Sequence, residues 1–454
     1  MGSWQAVFWT VKHPQRTMSG SPSRGAFRES GRAAERRCDQ RVTDIVSSRS
    51  FAVCDGVPIA AIAQREGTPV YVYSAGTIRA RYAELDAGFG TYSHRIHYAL
   101  KANSTFAIAK LIHTLGGRVD ANSGGEIEVA RRAGFNPDEI VFTGVGKSRA
   151  ELELAVGLGV HAVNAESRGE FERLDEIARA LGVRARVAVR LNPDVPAGTH
   201  PHISTGQRSH KFGVPIDEAR EICRWAVTRN GLTLVGVHVH IGSQLVALEP
   251  LRRAAEVAAE FVNDLSSLGI SVEQLDVGGG LGISYDGSET LTAAAYAKTI
   301  VQAVRGTGLP VVIEPGRWVI GPAGVLVAAV VDVKSRGPDR HFVVVDAGMS
   351  ELIRPAMYGS FHRIELVTPR ITPPVTCDVV GPICETSDVF GIGRVMPRPE
   401  VGDLVVIRDA GAYGSAMASN YNRHPLPAEV LVDDGAWRVI RRRQTVDDML
   451  ATEI

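Results

Sequence analysis

Neither sign of charge dominates this sequence: 50 lysines and arginines face 50 aspartates and glutamates across 454 residues. That balance argues against a nucleic-acid or anionic-membrane partner, since both select for a basic surface. Long apolar runs are missing too. The longest, Val325 to Val333, has Asp332 inside it and falls far short of the roughly 20 residues a membrane helix needs. Cysteine is scarce: Cys38, Cys54, Cys223, Cys377 and Cys384 are odd in number, scattered, and form no C-x-x-C pair or Cys/His cluster. Such a set argues against structural zinc and suits a reducing cytoplasm. The expectation is a soluble cytoplasmic protein that acts on small molecules and needs no metal.

What is present suggests two cores. A chain of this length that is 44% hydrophobic suffices for one large domain and a smaller one. Residues 1–46 stand apart, with Arg16, Arg24, Arg28, Arg32, Arg36, Arg37 and Arg41 among serines and glycines and no apolar periodicity. They read as a disordered extension, with Met18 as an alternative start. Glu29, Glu35, Asp39 and the lack of an amphipathic stripe weaken a transit-peptide reading.

From residue 76 to 325, short β-branched runs alternate with helical stretches, the rhythm of parallel strands joined by crossover helices. The strand candidates are Ile96–Leu100, Arg118–Ala121, Ile140–Thr143, Ala162–Ala165, Arg186–Leu191, Leu234–Ile241, Gln274–Val277 and Val311–Glu314. Helical candidates between them include Ser104–Leu115, Arg168–Leu181 and Leu251–Leu268. Eight such units predict a (β/α)8 barrel, with an open doubly wound sheet as the alternative. From 326 to 454 strand-like runs take over, including a hairpin with an Asp-Gly turn in AEVLVDDGAWRVI, so a C-terminal all-β domain is expected. Residues 47–75, around Phe51–Ile59 and Pro69–Tyr73, also look strand-like and are expected to pair with it.

In a closed barrel the active site lies at the C-terminal ends of the strands. Strand one ends in Lys101, strand two in Asp120 and Ser123 ahead of Glu126, and strand five carries Arg190. A lysine closing an apolar strand is ordinarily a solvated end, but burial among apolar groups favours the neutral amine, which can bond to an aldehyde. Gly278, Gly279 and Gly280 after strand seven and Gly316 after strand eight can bring backbone amides close to an anion, in the usual phosphate position of this fold. Their spacing is not that of a dinucleotide-binding loop. Ser243 can add a hydroxyl. Glu314 can keep a pyridine nitrogen protonated, although an ion pair with Arg190 or Arg317 explains it equally well from position alone. His238 and His240 share a strand face, which raises a zinc hydrolase as a rival. That rival would want its H-x-H on strand one, where Lys101 stands.

Taken together, the strand ends resemble the fold-type III pyridoxal-phosphate enzymes, and the far half narrows the resemblance to the diaminopimelate decarboxylase family. It runs from about residue 50 to the end, on YALKAN, SGGE, FTGVGKS, RLNPDV with THPHISTG and KFG, HVHIGSQ, DVGGGLGISY, EPGR, DAGMSELIRPAMYG, GPICETSD, GAYGSAMASNYN and NRHPLPAEVLV. The resemblance implies pyridoxal 5′-phosphate bound covalently at Lys101, His240 stacked on its ring and Glu314 at the pyridine nitrogen. It places Ser243, Gly278–Gly280, Gly316 and Arg317 around phosphate and substrate, with Asp120, Glu126 and Arg190 as support and Tyr413 reaching in from the β-domain. It further implies a homodimer with shared sites, in which Cys384 of a second copy is the acid.

The activity so implied is decarboxylation of meso-diaminopimelate to lysine. Arg317, Arg354 and Tyr358 are candidates for the substrate's far carboxylate and Glu385 for its far ammonium, with Tyr413 also at the substrate. The plainer reading of Arg354 is a surface charge ahead of Pro355. Decarboxylation of lysine, ornithine or carboxynorspermidine, racemisation, and a homologue that has lost its cofactor are the alternatives. Asn122, where a small residue is expected, and Thr386, where serine is commoner, depart from the pattern, and neither is assigned to the chemistry.

Overall fold

The computed structural model describes residues 53–196, 205, 211–335, 337 and 340–454. The arginine-rich extension and all of THPHISTG except Thr205 lie outside the described residues.

Eight parallel strands close into a barrel in chain order: His94–Ala99, Arg118–Ala121, Ile140–Phe142, Ala162–Ala165, Ala185–Leu191, Leu232–Val239, Gln274–Asp276 and Val311–Ile313. Closure is made by Val311–Ile313 pairing with His94–Ile96, which removes the open-sheet alternative. The crossover helices start where the sequence offers caps. Ser123, Ser148 and Ser167 each accept a hydrogen bond from the backbone of the glutamate three residues on, satisfying an otherwise orphaned donor. The first strand stops at Ala99, one residue before the sequence suggests, and Leu100–Ala102 coil into a 3-10 turn. Lys101 therefore rides on a turn at the barrel mouth rather than on the strand itself.

The remaining strands form a nine-stranded sheet built around Gly324–Ser335. Val70–Ser74, from before the barrel, lies between Gly324–Ser335 and Ala428–Asp433, antiparallel to the first and parallel to the second. Its sequence VYVYS explains why it can be interior. Val70 and Val72 face an apolar cluster capped by Ile59 and Ile62, while Tyr71 and Tyr73 face the cluster shared with the barrel. Alternation sends successive side chains to opposite faces, and each tyrosine hydroxyl finds a partner: Tyr71 donates to the Glu351 carbonyl at 2.7 Å and Tyr73 to the Glu429 carboxylate at 2.7 Å.

One feature of this half differs from the sequence expectation. The stretch before Val70 is not one run of sheet: Val53–Cys54 pairs only with Val57–Pro58, and Ile59–Glu66 is a helix. An isolated two-residue hairpin buries little by itself, and the helix behind it supplies the apolar cover. The C-terminal sheet is mixed, with Arg340–Val345 parallel to Pro374–Val380, and the region also carries the short helix Arg354–Tyr358. The Asp-Gly hairpin joins Ala428–Asp433 to Ala436–Arg441, with Asp434 and Gly435 at φ of 48° and 76° as a tight two-residue turn requires.

Candidate functional site

The strand ends named from the sequence converge. Lys101 Nζ is 3.0 Å from Asp120 Oδ2, and the Asn122 side-chain amide donates to the other Asp120 oxygen at 3.0 Å. Asn122 thus does touch a candidate site residue: it fixes the carboxylate that faces the lysine. The surroundings of Lys101 correct one expectation. Burial alone would favour its neutral amine, but the Asp120 and Glu314 carboxylates outweigh burial and hold the ammonium above its ordinary pKa. Neutral amine must come from proton transfer, and Asp120 is the acceptor in reach.

Glu314 follows the eighth strand and is fully enclosed. His238 Nε2 lies 3.3 Å from it and the Thr143 hydroxyl 3.5 Å. Strands six and eight are separated by the seventh, so the His238–Glu314 contact crosses the barrel interior. Burial opposes ionisation of Glu314, yet His238 and Lys101 more than compensate and its carboxylate is held low. Asp276 has the opposite fate, pushed well up by burial and then by the Glu314 charge, so that it keeps its proton. The sequence did not single out Asp276. The three groups His238, Asp276 and Glu314 place ligating atoms within 4.8 Å of one another, the composition of a metal site. His238 Nε2 is already engaged with Glu314, and Asp276 keeps its proton and so does not offer a carboxylate. The H-x-H pair is also divided, since His240 turns to the mouth, where the Gly279 amide donates to its Nδ1 at 3.2 Å. Burial, followed by the nearby Lys101 and Arg190 charges, holds the His240 ring neutral.

The glycines form a cradle that a single methyl group would disturb. A Cβ on Gly279 would sit 2.2 Å from the Glu314 carbonyl oxygen, one on Gly278 2.4 Å from that of Val239, and one on Gly316 2.9 Å from Ala102 Cβ. Such close backbone approach is open only to glycine. The amides of Gly280 and Gly316 have no protein acceptor among the described residues. Beside them, Arg317 donates to Ser243 Oγ at 2.9 Å. A phosphate binder, a flat-ring platform in neutral His240, an enclosed carboxylate and a lysine at the mouth together fit pyridoxal phosphate.

Supporting residues sit as the fold dictates. Arg190 is paired at 2.6 Å with Glu166, a buried carboxylate missed in the sequence because it lies past the fourth strand. Glu126 accepts from the Asn122 amide at 2.6 Å, and its burial pushes its carboxyl up to about 7. Tyr413, on the loop after Leu404–Ile407, adopts a φ of 55° and donates its amide to the Ala102 carbonyl at 2.8 Å. That bond ties the sheet half of the molecule to the turn carrying Lys101.

Next to Arg317 opens a cleft of about 430 Å³ lined by Gln244, Tyr285, Arg354, Tyr358 and Ser360, among others. Arg354 is no surface charge: only 4% of it is exposed, and Arg317 is similarly buried at 5%. Neither lies within ion-pair distance of a carboxylate among the described residues. Arg354 packs over the Tyr285 ring with its guanidinium carbon 4.7 Å from the centroid. Tyr285 belongs to the DVGGGLGISY run, but nothing in its sequence position gave it a role. Cys384 and Glu385 are exposed. Their loop is shaped by Asp388, which accepts from the Ile383 amide at 2.7 Å and the Met349 amide at 2.6 Å. Among the described residues no hydrogen bond or ion pair joins Cys384 or Glu385 to Lys101.

Comparison with known proteins gives the family. Residues 75–321 match the family model described as the pyridoxal binding domain of pyridoxal-dependent decarboxylases. The chain is 43% identical to the diaminopimelate decarboxylase of Neisseria meningitidis over 401 residues, covering 88% of this chain and 98% of that one. The chain belongs to the diaminopimelate decarboxylase family. Another member, from Pseudomonas aeruginosa, is 43% identical over 399 residues, 88% of this chain and 96% of the relative. The crystal structure of the Helicobacter pylori diaminopimelate decarboxylase complexed with L-lysine superposes with a TM-score of 0.84 at 41% identity, covering 87% of this chain and 98% of that one. The barrel and mixed sheet described above are therefore the family's fold, and the cofactor of the family is pyridoxal phosphate. No helix among the described residues is long and apolar enough to cross a membrane.

Proposed function

We propose that this chain decarboxylates meso-diaminopimelate to lysine and carbon dioxide, the closing step of lysine synthesis, in the cytoplasm. The observation that carries the substrate is the pair of buried arginines: Arg317 and Arg354 line the cleft without an acidic partner among the described residues, so the balancing anions are expected from what binds there. A buried cation left unpaired is costly. A phosphate beside Ser243 and Gly278–Gly280 answers Arg317, and the far carboxylate of the substrate answers Arg354, with Tyr358 beside it.

Pyridoxal phosphate, when bound, supplies the electron-withdrawing ring that accepts the electron pair left as carbon dioxide departs. The protein positions and charges the groups around it. Lys101 would be the amine that anchors the cofactor, with Asp120 Oδ2, 3.0 Å away, placed to hold its proton. His240 would offer the cofactor ring an uncharged plate, and Glu314, kept ionised against its burial by His238 and Lys101, would hold the ring nitrogen protonated. Glu126, Arg190 and Tyr413 support this arrangement. A second copy of the chain closes the site with its own Cys384, which gives a proton to the carbon that lost carbon dioxide, and Glu385, which meets the far ammonium. The exposure of that loop in the single chain is consistent with such a role.

Release of carbon dioxide from meso-diaminopimelate, lysine and ornithine by the cofactor-loaded protein tests the reading. Diaminopimelate should be preferred by as much as ~10⁴, because the shorter substrates leave the buried donors unpaired. Comparable efficiency on lysine or ornithine would defeat the substrate assignment and leave the cofactor chemistry standing.

A further inference from the structure

Arg354 is held by a residue that the reaction has not so far required. His362 is fully buried and lies between two groups of opposite character. Its Nδ1 is 2.7 Å from the Arg408 carbonyl oxygen and its Nε2 is 2.9 Å from Arg354 Nη1. A carbonyl only accepts and a guanidinium only donates, so the proton sits on Nδ1 and Nε2 offers its lone pair to the arginine. The remaining contacts of Arg354 are uncharged as well: Ser360 Oγ at 3.3 Å and the Tyr285 ring, which also meets the His362 ring edge-on at 5.0 Å.

We propose that His362 is a positioning residue for substrate selection, a neutral acceptor that aims the Arg354 guanidinium at the cleft without cancelling its charge. An aspartate or glutamate in its place would hold the fork more strongly, but it would also satisfy the charge and leave less attraction for an incoming carboxylate. Histidine does this where it is buried because burial, reinforced by Arg354 itself, pushes the ring's pKa down to about 3. The ring is thus an acceptor at any working pH. This inference rests on the reading of Arg354 as the contact for the far carboxylate.

The test compares His362→Gln, His362→Phe and His362→Glu as cofactor-loaded enzymes. Each is assayed for kcat and KM on meso-diaminopimelate and for inhibition by L-lysine, which keeps the far carboxylate, and by cadaverine, which lacks it. Glutamine can donate to Arg408 and accept from Arg354, so its KM should stay within about threefold of wild type. Phenylalanine removes the acceptor, and KM and the lysine inhibition constant should both rise roughly tenfold while kcat and cadaverine inhibition stay put. Glutamate should weaken both by more than phenylalanine does. The proposal is overturned if phenylalanine and glutamate leave KM and lysine inhibition within about twofold of wild type, or if cadaverine inhibition shifts in step with lysine, the mark of a merely structural role. Should the phenylalanine variant fail to load cofactor, the glutamine and glutamate variants, alike in size and different in charge, decide the matter: equal KM values overturn it. A wild-type enzyme inactive on diaminopimelate would instead sink the functional reading itself.

Discussion

Replacing Gly279 by alanine should weaken cofactor binding far more than it weakens the fold. The new methyl would lie 2.2 Å from the Glu314 carbonyl oxygen and 3.1 Å from its carbonyl carbon, more than an ångström inside ordinary contact. The obstacle is backbone, so no side chain can swing away. The Gly279 amide is also the donor to His240, and the Glu314 amide donates to the Gly278 carbonyl at 2.8 Å, so relief of the clash moves both the ring platform and the enclosed carboxylate. Overpacking of this kind costs about 1–3 kcal/mol, and a domain with a stability of roughly 5–15 kcal/mol survives it. The cofactor site does not have that margin. A tenfold loss of affinity corresponds to about 1.4 kcal/mol, and we expect at least that. Titration of the apoprotein with pyridoxal phosphate, followed by absorbance, measures it. Gly306→Ala is the control, because a Cβ there meets nothing within 4 Å. Wild-type affinity in Gly279→Ala, or an equal loss in the control, would refute the assignment of the glycine cradle.

Three further outcomes are expected. Burial raises the Glu126 carboxyl from 4.5 to about 7, so between these values the folded apoprotein holds a proton that the unfolded chain has released, and stability falls as pH rises through that window; denaturant unfolding of Glu126→Gln against pH should lack this part of the slope. Cys384→Ala should keep its cofactor and lose about 10²–10⁴ in turnover, as removal of a general acid does, and mixing it with Lys101→Ala should restore part of the activity; no recovery once subunit exchange is verified would count against a shared site. Arg354→Leu should depress kcat/KM on diaminopimelate far more than any residual activity on lysine, and an equal loss on both would mean that Arg354 serves packing.

The barrel was legible because its strands are short apolar runs with one helix each, and closure fixes where their ends must meet. That geometry is why Lys101, Asp120, His240, Gly278–Gly280 and Glu314 could be named together from residues hundreds of positions apart. Part of what escaped notice lies off the strand ends. His362 and Tyr285 sit in loops, and their roles come from contact with Arg354, which no periodicity encodes. Asp276 lies inside the expected strand Gln274–Val277, and its retained proton depends on burial and on Glu314 past the next strand, which local sequence does not show. The helix Ile59–Glu66 was taken for strand at its start because Ile59 is β-branched, yet its apolar spacing at Ile59, Ile62 and Ala63 fits a helical face covering the sheet. The electrostatics of Lys101 could not be read either, since its two carboxylate neighbours come from strands two and eight.

The central claim is that the chemistry is anchored at Lys101, which faces both Asp120 and the Glu314 charge. Borohydride reduction of the cofactor-loaded protein, followed by mass-spectrometric mapping of the modified peptide, tests it most directly. The reduced pyridoxyl group should be found on Lys101 within YALKAN, and Lys101→Ala should carry none; a modified lysine elsewhere, or a reduced adduct that persists in Lys101→Ala, would contradict the account.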